Sequence, residues 1–321
     1  MIDFRYHLVS LIAVFLAVAL GIVIGTTALN QPILSDIRGQ VSTLEQDKRT
    51  LEGQTRRLDA QVQADDEFDA SVAPALVRGA ITGRRVLLVL ASDGVPADAV
   101  DGLSALVKQA GGTVSGTLRL GPGYTDPAAA PRVQSYVTGP GLPAGVSLPE
   151  TDDSAQLVAT LLADVLMVPH SSAAAGTPAA GSTPAISSVL AGLSALDVVS
   201  PDSAQVGPAD FAVVLTSGAA TGADAAQRTA PVVTLAAALD AAGSGAVVAG
   251  TADAADAGGL VAAVRDNPAV SVAVSTVDDV GTAAGRVSTV LALPRERQGT
   301  SGRYGTAGDA LPVPPVPGAT P

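Results

Sequence analysis

The chain is sparse in groups that perform chemistry. Its 321 residues include no cysteine, two histidines and two methionines, which removes thiol nucleophiles, thiolate metal sites and disulfides from consideration. His170, in LMVPHSS, follows Pro169 at the start of an Ala/Gly/Ser-rich stretch. No GxSxG elbow accompanies it, and nothing around it forms a general-base motif. Met167 and His170 lie three residues apart and are the weak candidates for a metal pair. Two ligands on one chain make neither a tight metal site nor a relay. The acidic doublets Asp152–Asp153 and Asp278–Asp279 each precede an apolar helical run. There a carboxylate accepts free N–H bonds and favours the helix dipole, so capping accounts for both doublets. Their spacing matches no calcium loop. Glycine-rich GPGYTD lacks the third glycine of a dinucleotide fingerprint, GPGLPAG spaces its glycines wrongly, and no GxxxxGK[ST] occurs. The expectation is a protein that is not an enzyme, without catalytic residues or a cofactor.

The elements that would carry any function begin with an uncharged run from Leu8 to Ser35. Leu8 to Leu29 as a helix spans about 33 Å, enough for the roughly 30 Å hydrocarbon layer. A cleaved signal peptide is the alternative. It would normally have a shorter apolar region, a basic start and a small-residue cleavage site, whereas Arg5 here is offset by Asp3. We therefore read residues 1–7 as a short tail and 8–30 as a transmembrane anchor. Ala17, Gly21 and Gly25 recur every four residues, so they share one face with a GxxxG pair that lets two helix backbones approach in lipid. Glycine is also simply common in membrane helices.

Residues 31–70 read as a coiled-coil stalk. Leu34, Val41, Lys48, Thr55 and Val62 fall at one seam position, and Ile37, Leu44, Leu51 and Leu58 at the other, with steps alternating three and four. Leucine at most d positions favours a parallel two-stranded coil, and the polar Lys48 and Thr55 penalise a shifted register or larger oligomer. Asp47 facing Glu52 would repel across such a seam. The competing reading is one amphipathic helix lying on its own domain. Together the GxxxG face and the heptads predict a homodimer with a stalk of about 43 Å between Leu34 and Val62.

The net charge is −12, and residues 86–321 carry 9 Lys and Arg against 20 Asp and Glu. No basic stripe is present to neutralise phosphates, so nucleic acid is not an expected partner. Aromatics make up 2% of the chain, too few for the girdles of an outer-membrane barrel. After a hinge at 73–83, RRVLLVLASDGVPADAVDGLSALVKQAGGTVSGTLRL reads as strand, helix, strand. DFAVVLTS, PVVTLAAALDAAG, GAVVAGTA, DAGGLVAAVRDN, VSVAVST and DDVGTAAGRVSTVLAL continue the alternation. Residues 71–293 are thus expected to form an α/β domain, mainly parallel and Rossmann-like, covered on both faces. SSAAAGTPAAGSTP reads as a surface loop. Residues 294–321, ending in LPVPPVPGATP, read as a Gly/Pro-rich disordered tail.

The opening HLVSLIAVFLAVALGIVIG with its heptads, DDEFDASVAPALVRGAITGRRVLLV, and the late STVDDVGTAAGRVSTVLAL with GTSGRYG resemble the actinobacterial copper transporter MctB family. The resemblance runs through nearly the whole chain in order. It implies copper homeostasis in the cell envelope, a channel-forming outer-membrane description, an extracytoplasmic body and, for some relatives, work with a partner protein in envelope growth and division. Copper enters only through this resemblance, and no ligand set of the family carries over onto residues here. Flanking charge does not orient the anchor, since Arg5 precedes it and Arg38 stands beside Asp36. A single span and a closed helix pair leave no pore. Two functional classes follow: direct copper handling, or a membrane-held dimeric scaffold for an unidentified envelope or cytoplasmic protein.

Overall fold

The structure is a computed structural model that describes residues 4–139, 142–143, 145–169, 182–220 and 224–315, with the side chains of residues 4, 26–36 and 38 not among them. The chain folds as two compact units, Met1–Asp65 and Asp66–Pro321. The first helix, α1 (Phe4–Val77), runs through the end of the first unit into the second.

In the first unit the large apolar side chains of α1 among the described residues are exposed. Leu8, Val9, Leu11, Ile12, Phe15 and Leu16 are all more than half exposed, and the same holds around the whole helix circumference. Residues Arg5–Gly25 are long and apolar enough to cross a membrane, and none of that stretch is buried. A helix that is apolar on every side needs an apolar surrounding, and lipid provides one.

The second unit is an α/β sandwich. Its elements continue as β1 (Arg85–Leu90), α2 (Ala97–Gln109), β2 (Thr113–Leu120), α3 (Pro122–Thr125), α4 (Ala130–Val137), α5 (Ser154–Leu166), α6 (Thr183–Ala195), β3 (Val199–Pro201), β4 (Phe211–Thr216), α7 (Ala225–Ala242), β5 (Ala246–Gly250), α8 (Leu260–Arg265), α9 (Pro268–Ser271), β6 (Ser275–Val277), α10 (Ala283–Glu296) and β7 (Arg303–Tyr304). The strand order is β3-β2-β1-β4-β5-β6-β7, with every pair parallel except the antiparallel β2–β3 edge. β1, β4 and β5 are apolar almost throughout because both of their faces are covered. Leu87, Val89, Ala212, Val214 and Val248 face a core built with α4 to α8. Val86, Leu88, Leu90, Val213 and Val247 face the other, built with α2, α10 and the end of α1. The two-residue period of a strand places alternate side chains in the two cores.

Chain direction along the sheet reverses between β1 and β4, so α2 and α7 cover opposite faces. That is what crossovers of one hand require. The β6–α10–β7 connection moves the same way along the sheet as β4–α7–β5 but carries its helix on the other face. These two connections therefore have opposite hands, an arrangement that parallel sheets rarely adopt.

Three expectations change. Residues 73–83 are no hinge: Ala73, Val77 and Ile81 are buried in the α2–α10 core, because α1 keeps its apolar period to its end. The body does not stop at 293. α10 passes through Pro294 to Glu296, and the chain returns as β7 with Tyr304 1% exposed. A proline inside a helix removes one intrahelical hydrogen bond and crowds the preceding turn, and α10 continues through it with Val290, Leu291, Ala292 and Leu293 packed in the core, which composition does not reveal. Third, Asp278–Asp279 does not cap α10. Thr282 does, accepting from the Gly285 amide at 3.0 Å, and Asp278 is fully buried instead. Asp153 does cap α5, accepting from the Ala155 and Gln156 amides. The loop 171–181 and the end of the tail, 316–321, lie outside the described residues.

Candidate functional site

The candidate interaction surface lies on α1. Ala17, Gly21 and Gly25 share one side of the apolar stretch, and a Cβ added at either glycine would meet nothing within 4 Å. Further along, Ile37, Val41, Leu44, Leu51, Leu58 and Val62 are 49–70% exposed. Leu34, the first expected seam residue, has its side chain outside the described residues. Lys48, at an expected seam position, reaches Glu52 at 3.7 Å, and Arg49 reaches Glu45 at 3.6 Å. These i,i+4 pairs partly neutralise the flanking acids, although pairs this exposed add only a few tenths of a kcal/mol. Thr55 turns its hydroxyl back onto the Leu51 carbonyl at 3.0 Å, so its hydroxyl is satisfied within its own helix. Beyond Val62 the heptad positions become Asp65 and Asp69, where an apolar seam cannot continue.

Of the two candidate metal ligands, Met167 is 3% exposed. It ends α5, and its methyl group fills the space left by Gly243, where a Cβ would clash with it. Its backbone bridges to Ala209 in the parallel sense. A thioether so enclosed packs against its neighbours rather than facing a surface. His170 lies outside the described residues, so the structure does not bring the pair together. Among the described residues no group of three or more His, Cys, Asp or Glu side chains gathers as metal ligands would.

Within the second unit, the structure brings the end of α1 together with the late stretches that carry part of the family resemblance. Asp278 accepts from Arg265 Nη2 at 2.8 Å, from the Thr306 amide at 2.7 Å and from the Ala307 amide at 3.3 Å. Arg265 also donates to Thr276 Oγ1 and to the Tyr304 carbonyl. Gly305 has φ +123°, and a Cβ there would collide with the Asp278 carboxylate. Asp66, on α1, accepts from the Ala283 amide at the start of α10. Arg286 donates to the Gly281 carbonyl at 2.8 Å while lying against Gly102 of α2. The stretches 66–89, 275–293 and 299–305 therefore form one structural unit: the last turns of α1, α10 and the returning β7. They clamp the connection of unusual hand.

Sequence reasoning missed a second buried carboxyl. Glu296, 7% exposed, accepts from the Ser275 amide at 2.8 Å. Burial, reinforced by the charge of Asp240, pushes its pKa up to about 8. Asp240, which accepts from the Ala246 amide at 2.9 Å, is pushed up to about 6 by burial. Asp279 is likewise pushed up to about 6 by burial, with the charge of Asp278 adding to it. The only available signal for Glu296 was an acid inside the apolar period of LALPRERQ, and an acid there reads equally well as an exposed helix position.

The profile of the family described as "Copper transport outer membrane protein, MctB" matches residues 1–315. Proteins named "Copper transporter MctB" from Mycobacterium tuberculosis (strain ATCC 25618 / H37Rv) and Mycobacterium bovis (strain ATCC BAA-935 / AF2122/97) are each 32% identical to this chain over 316 residues, covering 98% of it and 99% of the relative. The protein of that name from Mycobacterium leprae (strain TN) is 31% identical over 319 residues, with the same coverage. Matched along residues 1–315 and 32% identical to these relatives over 98% of its length, the chain belongs to the MctB family.

Proposed function

We propose that this is a single-pass cell-envelope protein acting in copper homeostasis as a non-enzymatic parallel homodimer, a scaffold that holds two bodies off the membrane. The carrying observation is the unpartnered stripe of Ile37, Val41, Leu44, Leu51, Leu58 and Val62, 49–70% exposed at heptad spacing. Such a stripe is stable in water only when covered, and a second copy supplies the matching one. Residues 8–30 then serve as anchor, with Ala17, Gly21 and Gly25 at the helix contact, and 31–70 as the coiled-coil stalk. The strand order, reversing between β1 and β4, supports a Rossmann-like assignment for the body. The body is extracytoplasmic in this reading, as the outer-membrane description of the family suggests. Copper is the cargo that the relatives' names give.

The chain has no cysteine, which makes the test clean. In native-like bilayers, Leu51→Cys chains are expected to form a disulfide-linked dimer under mild oxidation, while Thr50→Cys chains, one position off the seam, stay single. Equal crosslinking at both positions, or none at Leu51→Cys, overturns the parallel dimer.

A second reading makes the protein a partner-binding regulator of envelope growth or division with no direct copper role. The burial of Met167 favours it, because it withdraws the only internal thioether from any surface route. Cells carrying His170→Ala in place of the wild-type chain separate the two: lost copper tolerance supports direct handling, and unchanged tolerance with the dimer intact supports the regulator.

A further inference from the structure

We infer that the outer side of the last turns of α1, the row Phe68, Val72 and Leu76, is a docking site for a basic amphipathic helix of a partner protein. The inference rests on the scaffold reading, though not on its dimer, and deepens it by giving the chemistry of the partner. All of the row lies in the second unit, Asp66–Pro321. There α1 turns Ala73 and Val77, 2% and 0% exposed, into the core with α2 and α10. Phe68, Val72 and Leu76 follow one another at steps of four and so share a different side of the same helix.

Phe68 is 65% exposed and Leu76 47%, and Val72 between them is partly buried. Elsewhere in this unit Tyr124, Phe211 and Tyr304 are buried and Tyr136 is partly buried. Among the described residues of the body, Phe68 is thus the one aromatic ring held out in water. Such a ring carries a large apolar area and is the kind of side chain that anchors protein interfaces. A single exposed leucine needs no cover, but a contiguous row led by a phenylalanine marks a contact surface.

Charge selects the occupant. Between Arg57 and Arg78 the sequence carries Asp59, Asp65, Asp66, Glu67 and Asp69 and neither lysine nor arginine. Asp66 is committed to the Ala283 amide. Glu67 and Asp69, the neighbours of Phe68 in sequence, form no ion pair among the described residues. A second copy laid row against row would bring the same acids together, and an anionic lipid surface would be repelled likewise. A helix with apolar residues three and four apart and lysine or arginine beside them meets both features. Its apolar face covers the row, and its cations answer the acids. Three side chains with a charged rim fall short of a standard interface, so the pairing is expected to be weak and reversible.

The test is fluorescence anisotropy of a labelled amphipathic leucine–lysine peptide of about 18 residues, long enough to hold a helix. It is titrated with the full chain in zwitterionic lipid nanodiscs and read above its binding to empty discs. The expected result is saturable binding, with none of the matching leucine–glutamate peptide. Phe68→Ser, at an exposed position, is expected to weaken binding at least about tenfold, as loss of an aromatic anchor does. Glu67→Lys combined with Asp69→Lys should exchange the preference, releasing the lysine peptide and accepting the glutamate one. Val272→Ser, which removes a 71% exposed valine at the end of α9, should leave binding unchanged. No saturable binding of the lysine peptide up to roughly 1 mM, equal affinity in the Phe68→Ser chain, or equal binding of both peptides overturns the docking site. Sedimentation of the Phe68→Ser chain tests the other occupant: loss of its dimer assigns the row to a second copy and overturns the inference as well. A missing Leu51→Cys crosslink with the lysine peptide still bound removes the parallel dimer and supports this site.

Discussion

Glu296→Gln should stabilise the body, and more at pH 8 than at pH 5. Glu296 is nearly enclosed between α10, the Ser275 amide and Gly245, and its pKa rises from 4.5 to about 8. A carboxyl raised on folding contributes stability that is fully present below about pH 4.5 and is lost as the pH climbs to about 8. At pH 7 the unfolded chain holds this group ionised while the folded body keeps it protonated. The gap of about 2.5 pH units between pH 7 and the ordinary value corresponds to about 3 kcal/mol at 1.36 kcal/mol per unit. Asp240, raised to about 6, lines the same recess and acts in the same direction, and Arg297 lines it as well, while Arg295 opposes the shift. Glutamine keeps an oxygen for the Ser275 amide and never ionises. It should therefore recover about 1–3 kcal/mol at pH 8 and almost nothing at pH 5. The assay is urea unfolding of the full chain in detergent, followed by near-ultraviolet circular dichroism. The chain has no tryptophan, and Tyr124 and Tyr304 are both buried in the body, so the signal reports that unit. A wild-type midpoint that does not fall between pH 5 and pH 8, or a glutamine effect equal at both, would refute the reasoning.

Asp278→Asn leaves Arg265 largely buried without its charge partner and should cost about 3–5 kcal/mol. Hydrogen exchange should show it first at the Gly305 and Leu311 amides, which join the returning segment to itself, and unchanged protection there would count against the clamp. Leu51→Asp removes two seam leucines from the proposed dimer and sets two carboxylates face to face, a loss of at least about 2–4 kcal/mol per dimer. Sedimentation in detergent should then show at least a tenfold weaker dimer, and an unchanged association constant would mean that the stripe is covered by something else. Met167→Ala should destabilise the body by about 2–5 kcal/mol through the cavity it opens. If urea unfolding instead shows no change while copper uptake falls, Met167 is a ligand and not a packing residue.

The alternation of strand and helix was legible because a strand covered on both faces must be apolar throughout. RVLLVL, FAVVLT and AVVAG show this directly. α6 and the antiparallel edge β3 were not legible. The first begins beside an Ala/Gly/Ser run that resembles loop, and the second has only three residues. The end of the body was misplaced at Pro294 because proline is a local stop signal, whereas the burial of Tyr304 and the bonds around Asp278 are distant in sequence.

Local order alone thus determined the uncharged anchor-length run, the heptad stripe and the βα alternation, since each depends on neighbours within a few residues. It also determined family membership, because the matching residues keep their order along the chain. Only tertiary structure decided that Asp278 pairs with Arg265, that Glu296 is enclosed beside Asp240, that Met167 is core and that the strand order reverses between β1 and β4. Those outcomes depend on which faces cover which and on strand order. Desolvation, the force behind each of them, acts through neighbours in space that stand far apart along the chain.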